Sequence, residues 1–443
     1  MAREIQTFLQ VIFAADRKAE GMDLEAVEMA ARDALHRAGA AVLSELLDRK
    51  QSPTATQVPC ACGQQAQYYD VRWKQIVTVR GTAELKRAYY VCPCCHQGQS
   101  PRDRELDVEG TGFSPGVRRM MATVGSQSSF DRGRQQLHLL AGLEVHQKAV
   151  ERQAEAIGAD LAARQQVEMQ RAVQLEFPEI LGQAVAVLYI EMDGTGVPVV
   201  KAETEGRAGK IDGQPAHTRE AKLACFFTQT STDQEGYAVR DEASTTYAGA
   251  IETAEEFGKR IYVEAWRRGW SRAKKKVVLA DGAIWIWNLA DQYFPGAIQI
   301  VDLYHAREHV WDTARLLHPS DAHQRKQWGK RAQKMLDNGK IEALVAEICE
   351  GLPPTPESAA AIANHADDFE RNKTRMRYPK FRSQGLFVGS GVIEAGCKTV
   401  IGSRLKQSGM FWTVRGANAI IALRCCWING RFEDYWANRS EAV

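Results

Sequence analysis

Three carboxylates lie far apart in this sequence, in settings that could bring them together. Asp193 follows the apolar run AVAVLYIEM and Asp281 follows VVLA, so each is expected to project from a strand end into one crevice. Glu394 sits in SGVIEAGCKTVIGSRLKQSG, where Ile393, Cys397, Val400, Ile401 and Leu405 recur at helical spacing. Lys398 lies one turn beyond Glu394 and is expected to share its face near the site. Two strand acids and one helix acid can hold two divalent cations about 3.5–4 Å apart, which activate an attacking oxygen and stabilise a leaving one in phosphodiester chemistry. Hard cations such as Mg2+ or Mn2+ prefer such oxygen ligands. Taken singly, either Asp is also readable as a surface acid capping a strand end.

A second constellation is built from cysteine. Five of the ten cysteines fall between Cys60 and Cys95, and in a long intracellular chain a tight cluster points to a metal rather than to disulfides. Cys60 and Cys62 precede IVTVRGTAELKRAYYV, which reads as a hairpin around Gly81, and Cys92, Cys94 and Cys95 follow it. Two thiolate-bearing turns brought together by strands make a zinc-ribbon-like site. Cys60, Cys62, Cys92 and Cys95 are the favoured ligands, because CPxC lets one turn supply two sulfurs, with Cys94 a bystander. The CxC at the first turn departs from the commoner CxxC, and unligated cysteines are the alternative.

A third candidate is SFDRGRQQLHLLAGLEVHQKAVERQAEAIG, with apolar Leu137, Leu140, Leu143, Val145, Val150 and Ile157 and with Gly142 between two helical runs. This is the layout of a helix-turn-helix whose second helix starts near His146 and presents Gln147, Lys148, Glu151 and Arg152 outward. A plain helical hairpin has the same spacing. Arg118, Arg119, Arg132 and Arg134 nearby suit phosphate contacts.

The elements that must position these groups follow from the rest of the chain. With 443 residues, 44% hydrophobic and 25% charged, it is long enough for two to four domains. No run reaches the roughly 18 apolar residues of a membrane span, and the start carries Glu4 without a small-residue cleavage site, so no membrane partner and a cytoplasmic location are expected. A net charge of +2 hides local patches: Arg272 with Lys274–Lys276, and the run Arg371, Lys373, Arg375, Arg377, Lys380, Arg382, each also readable as a solvated face. Leu24, Val27, Ala31, Leu35 and Leu46 predict an amphipathic helix or pair, ended by Pro53 and Pro59. VAVLYIEMDG, AKLACFFTQT, KKVVLADG and AIQIVDLYH read as strands of an α/β layer with carboxylates at strand ends. From about Ala306 to Asp368 the pattern is helical, broken by Gly351, Pro353, Pro354 and Pro356.

The blocks EMDGTGVPV, LADGAIWIWNLA, VDLYHAREH and SGVIEAGCKTVIGSRLKQSGMFW, with the cysteine pairs upstream, resemble insertion-sequence transposases of the ISKra family and, more distantly, the Mutator-like group. The resemblance runs from the cysteines to about Trp436. It implies a multidomain α+β protein with a ribonuclease-H-like α/β catalytic core, an all-α insertion from about Glu308 to Met376, and an acid triad of Asp193, Asp281 and Glu394 holding two Mg2+ or Mn2+ ions. Mutator-like relatives carry an acid or cysteine, two residues, then His after the second catalytic Asp, which Asp302 and His305 match. His305 is then either a structural histidine or an accessory of the site.

Boundaries consistent with this are a helical region 1–55, a zinc-ribbon-like unit 56–108, a helix-turn-helix region 112–175, and a catalytic core in two parts, 180–307 and 377–443, around the insertion 308–376. Trp311 and Trp328 in the insertion could stack on an unpaired base or pack in its core. Gln147, Lys148, Arg152, Arg404 and Lys406 are the candidate DNA-contacting residues. The implied activity is cleavage at transposon ends and strand transfer without a covalent protein intermediate, by a bacterial, nucleoid-associated homodimer or higher oligomer acting on end and target DNA. A DNA-binding regulator or a simple nuclease on the same fold is the alternative.

Overall fold

The computed structural model describes residues 23–49, 55–174, 176, 185–209, 214–351 and 355–439. Glu4, Pro53, Pro353 and Pro354 lie outside the described residues. Two compact units divide the chain near Ile157, the second running over Gly158–Glu433 and the first taking back a short piece from Asp434. Among the described residues, no helix is long and apolar enough to cross a membrane.

The first unit opens with helix α1, Leu24–Arg49. One helix forms where one or two were expected, but the expected apolar stripe is not its buried face. Leu24, Leu35 and Leu46 are at least half exposed, and Ala40 on the other side is buried. Strands β1 (Gln57–Pro59), β2 (Gln65–Thr78), β3 (Gly81–Val91) and β4 (Gly98–Gln99) form an antiparallel sheet in that order. The β2–β3 hairpin turns where Thr78 pairs with Gly81, whose φ of 100° lies in the region a side chain rarely adopts. Ile76, Leu85 and Val108 make its core, with Leu47 of α1 against them.

Helices α2 (Pro101–Glu105), α3 (Pro115–Gln127), α4 (Phe130–Ala141) and α5 (Gln147–Val173) follow. Ser114 caps α3 by accepting the Val117 N–H, and Ser129 caps α4 by accepting that of Arg132. Gly142 ends α4 in the left-handed conformation, φ 62°. Val117, Met121, Leu137, Leu143 and Val150 fill the space between these helices, each side chain contributing about 1.5–3 kcal/mol by leaving water. Leu140, expected in that core, is 77% exposed instead.

The second unit is organised by a five-stranded mixed sheet in the order β11-β10-β5-β6-β9. Its strands are β5 (Val187–Pro198), β6 (Thr218–Gln229), β9 (Thr246–Ala250), β10 (Lys275–Ala280) and β11 (Ile298–Val301), with a small β7–β8 ribbon (Ser231–Thr232, Ala238–Val239) beside it. Strand β6 runs antiparallel to both of its neighbours, β5 and β9, while β10 and β11 run parallel to β5. Every residue from Val187 to Met192 is buried, as expected of a strand covered on both faces. Helix α6 (Ala254–Arg267) covers one face: Thr246 on β9 donates its hydroxyl to Glu264 of α6 at 2.9 Å. Helix α7 (Ile284–Tyr293) packs on α6.

Beyond β11 come four helices, α8 (Leu303–Leu317), α9 (Ala322–Asp337), α10 (Ile341–Glu350) and α11 (Pro356–Asn372), then the short α12 (Tyr378–Ser383). Trp328 is buried among them, and the Trp311 ring lies directly over Gly329, so the two tryptophans pack inside this helical segment rather than standing free to stack on a base. The basic run is largely paired within the chain: Arg371 with Asp368, Arg377 with Glu342, and Arg375 with Gln299 and the Trp287 ring.

The opposite face of the sheet is covered by α13 (Gly391–Gly396), a π-helical turn over Cys397–Gly402, and α14 (Ser403–Leu405), followed by α15 (Val414–Ile428) and α16 (Phe432–Ala437). The outer edge of β9 is closed by side-chain amides. Asn418 pairs with both backbone groups of Ile251 and Asn429 with both of Tyr247, at 2.7–3.1 Å, which removes an exposed strand edge.

Candidate functional site

Asp193 lies inside β5, paired with Leu223 of β6, not at a strand end as expected. The strand continues to Pro198 along β6, and only the pairing with β10 stops earlier. Its last pair is Met192 with Ala280, so Asp281, the next residue of β10, emerges beside Asp193. Neighbours at the same register of a sheet face the same side. Gly282, with φ 104°, then turns the chain away, and Asp281 accepts the Ala283 N–H at 3.0 Å.

The electrostatics reflect this placement. Burial, the largest cause, pushes the Asp193 carboxyl above its usual range, and the charges of Asp281 and Glu220 push the same way. Hydrogen bonds from the Cys397 thiol, at 3.4 Å, and the Gly194 N–H, at 2.6 Å, oppose the rise. Two half-buried acids in each other's field gain most when a cation joins them.

Glu394 is exposed on α13, with Cys397 one turn further on. The Cys397 thiol is pushed well up, first by burial and then by Asp193, and Glu394 adds to it. The π-helical turn begins at Cys397. Among the described residues, no three acids bring their oxygens within 4.8 Å of one another. Asp193 and Asp281 are neighbours on the sheet, and Glu394 is near enough to Cys397 to raise its thiol, but the three acids do not close into a cage.

Two buried carboxylates hold α13 on this face. Glu191, on β5 two residues before Asp193, is fully buried and accepts the Ile393 N–H at 2.8 Å and the Cys225 thiol at 3.7 Å. Among the described residues, its other oxygen, Oε1, is buried without a partner. Burial, opposed by the Ile393 hydrogen bond, pushes Glu191 up to about 8. Asp302 is 2% exposed, caps α8 by accepting the His305 N–H at 2.6 Å, and accepts the Ser390 N–H with its second oxygen. Sequence reasoning passed over Glu191. Its one signal is a carboxylate inside an otherwise apolar strand, where a charge is costly unless something meets it.

The other expected site residues are placed as follows. The His305 ring turns along α8, its Nε2 lying 3.0 Å from that of His309. Lys398 is exposed on the π-helical turn. Lys406 donates to the Thr195 hydroxyl, on the same face of β5 as Asp193. Arg404, expected among the DNA-contacting cations, is fully buried under Trp412, its guanidinium 5.0 Å from the ring centre, and so packs the interior. Gln147, Lys148 and Arg152 are exposed on the first turns of α5, Lys148 and Arg152 opposite buried Val150 and Ala154. Lys148 meets Glu151 at 2.5 Å.

In the first unit, Cys60, Cys62, Cys92 and Cys95 bring their sulfurs within 4.8 Å of one another, a set that could hold a metal ion. Cys60 and Cys95 are 3.6 Å apart, Cys62 and Cys92 3.5 Å, and Cys94 points to solvent. The Cys95 backbone N–H, above all, holds the Cys92 thiol down to about 6, so one ligand is poised as thiolate.

No protein-family model matches the chain, and no curated protein does. Among solved structures, a Drosophila P element transposase strand transfer complex matches at 9% identity over 77% of this chain and 84% of that one, with a TM-score of 0.25.

Proposed function

We propose that the chain is a DNA transposase of the acid-triad type, cleaving at transposon ends and joining the freed 3′ hydroxyl to target DNA. The observation that carries this reading is the juxtaposition of Asp193 and Asp281 on adjacent parallel strands at the centre of the mixed sheet, with the helix of Glu394 packed on the same face. Three antiparallel strands extended by two parallel ones form the sheet of a ribonuclease-H-like core, and the long helical segment between β11 and α13 is its insertion. Motif blocks resembling those of ISKra transposases support the same assignment.

Two divalent cations held by Asp193, Asp281 and Glu394 would supply activation of the attacking oxygen and stabilisation of the leaving one. The donor set fits hard cations, since its members are carboxylate oxygens and the buried one is charge-starved. Glu191 and Asp302 keep Glu394's helix on the sheet. Lys406, beside Thr195, offers a cation to a phosphate near the acids. Zinc at Cys60, Cys62, Cys92 and Cys95 would hold together a small sheet whose own core is a few side chains.

The test is to incubate the full chain with candidate element ends and Mg2+ and to map the products. Ends that are both cut and joined support the proposal. Cutting without joining would make the chain a nuclease, and binding without cutting a regulator.

A further inference from the structure

Outside the acids and the cysteine cluster, three histidines meet between two helices of the insertion. His305 and His309 are four residues apart on α8, a spacing that puts both rings on one face. Their Nε2 atoms face each other at 3.0 Å. The second nitrogen of each ring turns outward to a partner. Nδ1 of His309 lies 3.1 Å from Nδ1 of His365 on α11, and Nδ1 of His305 lies 3.6 Å from the Glu308 carboxylate. This is how ligating imidazoles are held: one nitrogen on the ion and the other oriented by an acceptor or carboxylate. Helical His pairs at this spacing bind zinc in other settings.

We propose that His305 and His309 chelate a divalent transition cation of the zinc class through their Nε2 atoms, with His365 orienting His309 and water completing the shell. At a metal–nitrogen distance of about 2.0–2.1 Å the two nitrogens subtend roughly 90°, and a few tenths of an ångström of ring movement opens this to tetrahedral. Imidazole nitrogen selects zinc, cobalt, nickel or copper over magnesium, so the site does not compete for the ions of the acid cluster. The three rings are half-buried, open enough for an ion to enter. The ion would sit on α8, which Asp302 caps, and the link to α11 would run through the His309–His365 contact.

The test needs no DNA and no activity, and so stands apart from the function proposed above. Zinc is titrated calorimetrically into the full chain, and bound zinc is counted by elemental analysis after dialysis. The wild type should bind one more equivalent than His309→Ala, and His305→Ala should lack the same equivalent. In His365→Ala that equivalent should bind about 10–100-fold more weakly, the usual cost of losing an orienting partner. Circular dichroism shows whether the variants fold, and His309→Gln serves if His309→Ala does not. Equal zinc content in wild type and in the folded His305 and His309 variants would overturn the proposal and leave the three rings as a neutral N–H···N chain.

Discussion

Glu191 Oε2 accepts the backbone N–H of Ile393 at 2.8 Å, so the carboxyl two residues before Asp193 holds the residue that precedes Glu394. The position of Glu394 relative to Asp193 therefore rests in part on a fully buried carboxyl. Glu191→Gln keeps a carbonyl oxygen for the Ile393 N–H and should preserve fold and activity. Glu191→Ala leaves that N–H and the Cys225 thiol without an acceptor and opens a small cavity, at a cost of about 2–4 kcal/mol. Urea unfolding reads the cost. In the cleavage assay Ala should lower turnover far more than DNA affinity, with Gln restoring it, and equal activity in Ala and wild type would remove Glu191 as a positioning residue.

The acid cluster predicts a stability signature as well as a catalytic one. Asp193 is half-buried beside Asp281, so without divalent ions Asp193→Asn or Asp281→Asn should leave Tm unchanged or raise it. Mg2+ should then raise Tm of the wild type and not of either variant, because binding to the native state alone stabilises it. Asp193→Asn, Asp281→Asn and Glu394→Gln should each abolish cleavage with DNA binding retained. Wild-type cleavage in any one of them removes that residue from the triad.

Much of this arrangement was legible in sequence because it rests on local patterns. The four apolar strands, the hairpin around Gly81 and the two cysteine turns all follow from residue type and spacing. Strand β9 was missed because TYAGA carries little of the β-branched signal, and the edge it forms is completed by Asn418 and Asn429 from far along the chain. Asp193 looked terminal because the apolar run stops there, but pairing with β6 carries the strand on to Pro198. Arg404 looked like a surface cation because nothing local announces that Trp412 will cover it. Leu140 and Leu35 matched a helical period yet face solvent. Periodicity gives a face and not its neighbour.

The cysteine cluster should hold one zinc per chain. Replacing Cys60 and Cys92 together with Ser removes one sulfur from each turn and should lose that zinc. The β1–β4 sheet then lacks the bond energy that joins its turns, so protease cleavage between Gln57 and Gln99 should speed up. Elemental analysis of freshly purified wild type that finds no zinc beyond the histidine-dependent equivalent would remove the site.

Glu264 sets an acid limit on stability. It is buried on α6, and although burial alone would raise its pKa, the Arg431 guanidinium at 2.6 and 2.7 Å, helped by Arg267, brings it below the usual carboxylate range. A depressed folded-state pKa contributes stability that is present above the unfolded value, near 4.3, and is lost as pH falls through the folded value. Urea midpoints of the wild type should therefore fall more steeply below about pH 4 than those of Glu264→Gln. At neutral pH the variant should be less stable by about 3–5 kcal/mol, because Arg431 is left facing a neutral group in a buried site. Parallel curves for the two proteins would show that the pair carries no pH-dependent stability.

The first turns of α5 offer a surface for reading DNA. Gln147, Lys148 and Arg152 are exposed there, Lys148 and Arg152 backed by buried Val150, and a helix of this width fits the major groove with its N-terminal turns toward the base edges. Lys148 is 64% exposed and paired with Glu151, an ion pair that a phosphate can displace at little cost. Lys148→Ala should weaken binding to all duplexes alike and flatten the dependence on salt by about one counterion. Gln147 and Arg152 can bond adenine and guanine in a bidentate way, so their replacement by Ala should cost about 1–3 kcal/mol on the element's own ends and little on random duplex. Titrations against end and random duplexes at two salt concentrations separate the two behaviours. If all three variants bind both duplexes as the wild type does, α4 and α5 form a supporting hairpin, and recognition of the ends must lie on other surfaces of the chain.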